Sequence, residues 1–379
     1  MTGEGPVTGE GPGAQRVVAT DGAARATEIT TPRGTIATPC FMPVGTRAAV
    51  KALDSADLDA LGAQVVLANT YHLMLRPGAE IVGRAGGLHR FMGTTSHLLT
   101  DSGGYQVFSL EPRVDDEGVT FRSTYDGDLH RFTPEDAVKV QHTLGADIQM
   151  VLDVCPPLPS PPEVVRLALE RTASWAGRAR VAHRRLRAEG STQALFGIVQ
   201  GGVDPALRTE SAQRTVAIGF DGYGIGGLSV GEPREQMLPA LEAALAELPD
   251  DQPRYLMGVG DPRSIIEAVA RGVDMFDCVL PSRLGRHGTV LTSAGRVNLR
   301  NRAWQESPDP LDADCDCAVC ARYSRAYLRH LLVVNEPTVR RLVTIHNVHW
   351  TLRLVERLRD AIMGGTFEAE RHRLAEVWP

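Results

Sequence analysis

Lysine is almost missing from this chain. Only Lys51 and Lys139 among 379 residues carry it, and arginine supplies the rest of the 40 basic side chains. Aromatic residues are also scarce, at 5%, and the formal net charge of −6 gives no overall pull toward nucleic acid. No apolar run approaches the length of a membrane span, and the N-terminus carries no signal-peptide core, so the chain reads as soluble and cytoplasmic. Cofactor signatures are missing too. Gly222-Tyr-Gly-Ile-Gly-Gly227 lacks the spacing of a dinucleotide fingerprint, and there is no phosphate loop. No Ser-His-Asp arrangement or open metal site offers other chemistry. At 379 residues the chain is long enough for one large domain with an insertion, or for two domains.

What is present is a pattern of apolar runs ending in aspartate: His97-Leu-Leu-Thr-Asp101, Ile148-Gln-Met-Val-Leu-Asp153 and Met275-Phe-Asp277. Continuous apolar runs suit parallel strands buried on both faces. A carboxylate at the end of each leaves the core where loops gather, and one aspartate there would be an ordinary helix cap. Three of them favour an active site at the C-terminal face of a parallel sheet.

Residues 1–15 hold a repeated Thr-Gly-Glu-Gly-Pro and almost nothing apolar, so they read as a disordered tail, leaving 16–379 as the folded body. Strands are expected at Cys40–Val44, Gln64–Ala68, His97–Thr100, Ile148–Leu152, Ala194–Val199, Tyr223–Gly226, Arg254–Gly258 and Met275–Leu280. Helical periodicity is clearest at Pro134–Leu144, Pro162–Glu189, Pro205–Ile218, Pro233–Leu248 and Pro262–Arg271, several opening with proline as a first turn tolerates. Eight strands alternating with helices predict an α/β fold, a (β/α)8 TIM barrel, with a doubly wound open sheet as the runner-up. The first half is less regular, with a hairpin expected around Val119–Phe132.

Near the C-terminal end, Cys315-Asp-Cys317-Ala-Val-Cys320 is followed by His346. Three thiolates and an imidazole make a closed tetrahedral zinc site of the structural type, and His330 and His349 compete for the fourth position. The zinc-binding subdomain is placed at 299–349, inserted late in the barrel. From Arg283 to Arg341 ten arginines face six acids, a local basic excess. Cys40, Cys155 and Cys278 sit in apolar stretches as small buried hydrophobes, although Cys155 and Cys278, close behind aspartates, could line the pocket.

Barrel logic gathers Asn69, Asp101 with Tyr105-Gln106, Asp153, Gln200, Gly226-Gly227, Met257 and Asp277 at one mouth. Two carboxylates can run displacement at an anomeric carbon. The remaining amides and glycine-exposed backbone suit the edge of a guanine-like heterocycle. A glycoside hydrolase would want an aromatic platform, yet none of the four tryptophans (175, 304, 350, 378) falls at a predicted strand end. A non-catalytic zinc-containing RNA-binding subunit is the other alternative. These residues alone leave the sugar hydrolase and the nucleobase enzyme both open.

Asp101-Ser-Gly-Gly-Tyr-Gln106, Phe196-Gly-Ile-Val-Gln-Gly-Gly202, Gly226-Gly-Leu-Ser-Val-Gly-Glu232, Tyr255-Leu-Met-Gly-Val-Gly260 and Phe276-Asp-Cys-Val-Leu-Pro-Ser-Arg283 together resemble the tRNA-guanine transglycosylases. So does the Cys315, Cys317, Cys320 and His346 set, and the similarity runs from about Cys40 to beyond His346. The resemblance implies a barrel enzyme that exchanges guanine at the tRNA wobble position for a 7-deazaguanine, with no redox cofactor and one structural zinc. It implies Asp277 as the nucleophile on ribose C1′ and Asp101 as the general acid/base. Asp153, Gln200 and the Gly227 N–H would read the base edge, Tyr105 and Met257 would sandwich the ring, and Asn69 would support the nucleophile and ribose. By the same resemblance, Ser102, Gly103, Gly104 and Leu228 would belong to the same base pocket.

The segments Gly258-Val259-Gly260-Asp261-Pro262-Arg263-Ser264 and Ser282-Arg283-Leu284-Gly285-Arg286 would lie along the RNA. Two positions depart from the pattern: Val154 stands where many members have Glu, and Ser282 where Thr is commoner. Val230, as in bacterial members, would leave no room for queuine's cyclopentenediol, so the implied base is 7-aminomethyl-7-deazaguanine (preQ1). The absence of further C-terminal RNA-binding domains after the zinc region points to the anticodon guanine of tRNAs for Asp, Asn, His and Tyr. The resemblance also leads to the expectation of a homodimer.

Overall fold

A computed structural model describes residues 11–229 and 231–378 of the chain. Eight parallel strands close into a barrel: β1 (Cys40–Gly45), β2 (Val65–Ala68), β3 (His97–Thr100), β4 (Ile148–Met150), β5 (Ala194–Val199), β6 (Gly222–Ile225), β7 (Arg254–Leu256) and β8 (Met275–Cys278). Neighbours follow chain order around the ring, and β8 pairs with β1 through Met275 to Cys40 and Asp277 to Met42. The expected barrel is therefore the observed one, and the open sheet is excluded by closure between β3 and β4 and between β8 and β1. Strands β4 and β5 are buried at every position, which is why they read as unbroken apolar runs.

The helices that follow the strands begin where capping chemistry dictates. The helix α1 (Pro205–Ile218) takes its cap from Asp204, whose carboxylate accepts the Ala206 and Leu207 N–H groups, and α2 (Pro262–Val269) is capped by Asp261 onto Ser264 N. Both carry proline in the first turn. After β8 comes α3 (Leu280–His287), then a short hairpin, the cysteine-rich turn and a helix over Arg325–Val333. Only then does the long helix α4 (Pro337–Met363) return to pack on β1.

The barrel strands end two residues earlier than expected at β4, β7 and β8, where the chain turns out of the sheet toward the mouth. The expected hairpin around Val119–Phe132 is a three-stranded antiparallel sheet that also includes Arg113–Asp115. A second three-stranded antiparallel sheet, Gln15–Asp21, Ala24–Thr31 and Gly34–Thr38, precedes the barrel and was not anticipated. Its inward positions are mostly small, Ala24 and Ala26 beside Ile29, so it lacks the bulky alternation that marks a strand. No helix among the described residues is long and apolar enough to cross a membrane.

Candidate active site

The mouth of the barrel brings the three strand-end aspartates together with most of the other expected groups. Asn69 follows β2, Asp101 follows β3, Asp153 lies beyond β4, Gln200 follows β5, Gly226 and Gly227 follow β6, Met257 follows β7, and Asp277 sits within β8. Each carboxylate has a different set of partners, and the differences define different chemistry.

Asp101 is fully engaged. Its Oδ2 accepts from Asn69 Nδ2 at 2.6 Å, while Oδ1 accepts from Thr70 N at 2.8 Å and Gly103 N at 3.1 Å. Thr70 also donates its hydroxyl to the Asp101 carbonyl at 2.6 Å. Burial nevertheless pushes the Asp101 carboxyl up to about 7 against these hydrogen bonds, and the charges of Asp277 and Asp153 push the same way. A carboxyl poised there can carry a proton in either direction near neutral pH.

Asp153 is buried, and its Oδ2 accepts from Gln200 Nε2 at 2.6 Å. Burial raises it to about 6, with the Gln200 and Ser102 donors pulling the other way. The Gln200 amide lies against Gly227, where an added Cβ would sit 2.4 Å from Gln200 Oε1 and the φ of +66° already suits glycine. Any side chain at 227 would therefore displace the amide that meets Asp153. Ser102 and Gly104 close the other flank, since a Cβ at 104 would come within 3.0 Å of Asp153 Oδ1. Tyr105 is 64% exposed above this floor, Leu228 is buried beside it, and Met257 lies over Gly224.

Asp277 differs again. Its Oδ1 accepts from Tyr255 OH at 2.6 Å and Gly258 N at 2.7 Å, while Oδ2 accepts no hydrogen bond among the described residues. One oxygen is thus anchored and the other has no donor among the described residues. Its carboxyl is raised by burial against those two donors.

The expected RNA-facing segments are split. Arg283 is exposed, and Arg286, half-buried, reaches Ser282 Oγ at 3.3 Å. Gly285 and Leu284 instead pack inward, Gly285 so tightly on α4 that a Cβ would sit 2.8 Å from Thr344 Cα. In the other segment, Gly258 donates to Asp277 and Asp261 caps α2. Val259, Pro262 and Ser264 are buried, Gly260 lies against Cys278, and Arg263 pairs with Glu267 at 3.0 Å. Val230 lies outside the described residues. Val154 packs in an apolar cluster with Tyr71, Phe121 and Trp175.

Cys315, Cys317, Cys320 and His346 bring their ligand atoms within 4.8 Å of one another. His346 Nδ1 lies 3.6, 3.5 and 3.2 Å from the three sulfurs, against about 3.5 Å for an N–S edge of a tetrahedral zinc site. Its Nε2 donates to the Leu291 carbonyl at 2.8 Å, which leaves the Nδ1 lone pair for a metal. The competing histidines are elsewhere: His349 is on Asp316 at 2.7 Å and His330 is exposed.

Three groups escaped the sequence reading. Tyr255, on β7, lies two residues before Met257 just past the strand's end, so the strand period alone would have placed it beside the pocket. Thr70 follows Asn69 directly. Arg208 is wholly buried and donates to four backbone carbonyls: Gly202 at 2.7 Å, Val199 at 3.0 Å, Gly226 at 2.7 Å and Gly227 at 3.2 Å. It ties together the two glycine turns that present Gln200 and Gly227, and burial lowers its guanidinium to about 10. Its signal was a charge on the same helical face as buried Leu207, Ser211, Ala212 and Thr215.

A parallel barrel with carboxylates and amides gathered at its C-terminal mouth is the form of a barrel enzyme. Residues 21–379 match the family described as queuine tRNA-ribosyltransferase. The chain is 53% identical over 347 residues to the queuine tRNA-ribosyltransferase of Moorella thermoacetica, covering 91% of this chain and 92% of that one. It is 52% identical over 351 residues to that of Herpetosiphon aurantiacus (92% and 88%), and 51% over 358 residues to that of Symbiobacterium thermophilum (94% and 88%). The chain belongs to this family and is an enzyme of the pentosyltransferase class.

Proposed function

We propose that the chain exchanges the wobble guanine of tRNAs for Asp, Asn, His and Tyr with preQ1, by double displacement through a covalent Asp277–ribosyl intermediate. The observation that carries this reading is the division of labour among the three carboxylates. The free Oδ2 of Asp277 attacks C1′, the C1′–N9 bond breaks, and guanine leaves with a proton from Asp101. The incoming base gives its N9 proton to Asp101, and N9 displaces the Asp277 oxygen from C1′. One slot, floored by Asp153, Gln200 and the Gly227 N–H, serves both bases, with Tyr105 and Met257 across the ring. Ser229 donates its N–H to Glu232, and peptide planarity then turns the Leu228 carbonyl away from that carboxylate. That carbonyl is the acceptor for the charged aminomethyl group, a contact a nitrile cannot make.

The cysteine cluster holds one structural zinc in an inserted subdomain spanning 299–349 of the catalytic body at 16–379. Arg283 and Arg286 take RNA phosphates. Exposed Tyr327, Val333 and Val334, on and just after the helix that follows the cysteine turn, support a homodimer.

The test is incorporation of labelled guanine into tRNA, with preQ1, its cyano precursor and queuine as competitors. Wild type denatured in the presence of tRNA should leave a covalent protein–RNA band. Asp277→Asn should fold and bind tRNA, yet lose both the band and the exchange. Substantial exchange by that variant would overturn the nucleophile assignment, and preference for queuine would overturn the choice of base.

A further inference from the structure

A second basic surface lies on the rim of the same mouth, away from Arg283 and Arg286. The Arg47 guanidinium carbon lies 5.2 Å from the centre of the Tyr125 ring, and that of Arg76 lies 4.9 Å from it. The Tyr125 hydroxyl is 2.9 Å from His72 Nδ1, and the His72 backbone N–H donates to Asn69 Oδ1 at 3.2 Å. Asn69 Nδ2 donates to Asp101, so this cluster adjoins the carboxylate through His72 and Asn69. Arg47 and Arg76 are exposed, as is Lys51 nearby, and none of the three forms an ion pair with a carboxylate among the described residues. Asp126 sits near Arg76 but is already bonded to Ser123 and to the Asp128 N–H.

An aromatic face holds a guanidinium without using its N–H donors. Two arginines ordered in this way keep their forks free for an anion, with less side-chain entropy left to lose on binding. Topology says which anion. Arg47 and Lys51 follow β1, Arg76 follows β2 and Tyr125 follows β3, whereas Arg283 and Arg286 follow β8. The strands run β8, β1, β2, β3 around the ring, so the two basic surfaces stand on successive parts of one rim. A nucleotide inserted between them must send its strand out on both sides.

We infer that Arg47 and Arg76, ordered on Tyr125, bind backbone phosphates on one side of the target nucleotide, while Arg283 and Arg286 serve the other side. This rests on the reading of the site as one that acts on a single nucleotide within an RNA strand.

The test measures binding of an anticodon stem-loop RNA to the full-length protein as a function of salt. The double substitution Arg47→Ala/Arg76→Ala should weaken binding about tenfold or more near physiological salt. It should also reduce the slope of log K against log salt by about 1.4, two phosphates at roughly 0.7 each on a single strand. The loss should appear in KM for RNA and spare KM for guanine. Arg47→Lys/Arg76→Lys, which keeps both charges, should retain the slope. Tyr125→Leu should weaken binding without changing the slope, because the charges remain but lose their order. An unchanged affinity and slope in the folded Ala variant would overturn the inference. If wild type binds the RNA with the arginine-dependent slope but exchanges no guanine, the reading of the reaction fails while the surface stands. Exchange with no arginine dependence is the reverse case.

Discussion

Asp101 illustrates how one side chain can be held firmly and still be chemically labile. Three N–H donors favour its anion, yet burial outweighs them and leaves it near 7. The unfolded chain loses this proton near 4, so the folded state retains it over the interval between. Stability of the unliganded protein should therefore fall as pH rises from about 4 to about 7, the sign expected of a raised carboxyl. On the proposed mechanism the protonated form is the active one in the forward half-reaction, so single-turnover release of guanine should decline as pH rises through 7. A rate flat from pH 6 to 8 would remove Asp101 from the proton transfer.

Arg208 acts at the same scale through position alone, on the proposed reading of the base slot. Methionine there would leave buried carbonyls unpaired, at about 1–3 kcal/mol each, and free the turns carrying Gln200 and Gly227. Arg208→Met should raise KM for guanine roughly tenfold or more, since about 1.4 kcal/mol is a decade, while KM for RNA moves little. Equal changes in both would mark a general loss of structure instead.

At the scale of elements, the strand ends were legible because apolar runs stop where polar residues begin. Asp101, Asp153 and Gln200 each follow such a run. Their partners were less legible, because Asn69 to Asp101 and Tyr255 to Asp277 are contacts between neighbouring strands, set by register that no single run encodes. The N-terminal sheet stayed hidden because its inward side chains are small. The cysteine turn was the clearest element, since its spacing is itself the chemistry, but the fourth ligand needed the fold: His346 reaches the cluster only because α4 returns beside the hairpin at Leu291. Metal binding at such a site contributes folding energy. On the proposed reading of the cluster as a structural zinc site, Cys317→Ala should lower bound zinc, lower the thermal midpoint and weaken RNA binding, leaving residual exchange in proportion to folded protein. Stoichiometric zinc at wild-type stability would show that Cys317 is not a ligand.

For the molecule as a whole, the two ends of the barrel carry opposite duties. The mouth gathers the three buried carboxylates with their amide and hydroxyl donors, while the N-terminal sheet covers the other end. Arg25 from that sheet forms a two-pronged pair with Asp274, Nε to Oδ1 at 3.0 Å and Nη2 to Oδ2 at 2.5 Å, and both side chains are buried. Asp274 also accepts from Arg254 N at 2.8 Å, and Arg25 reaches the carbonyls of Asp250 and Gln252. The pair thus links the sheet to the starts of β7 and β8, three residues before Asp277 on the latter. Removing one partner leaves a buried charge uncompensated, a loss of about 3–5 kcal/mol. Asp274→Ala should therefore cut unfolding free energy by about that amount, while the fraction that remains folded keeps its KM for guanine. Because the carboxylates at the mouth are untouched, the decline of guanine release through pH 7 should also persist. An unchanged denaturation midpoint would mean that the sheet is held by its apolar face alone, and a shifted KM would mean that the seal and the mouth are coupled through β8.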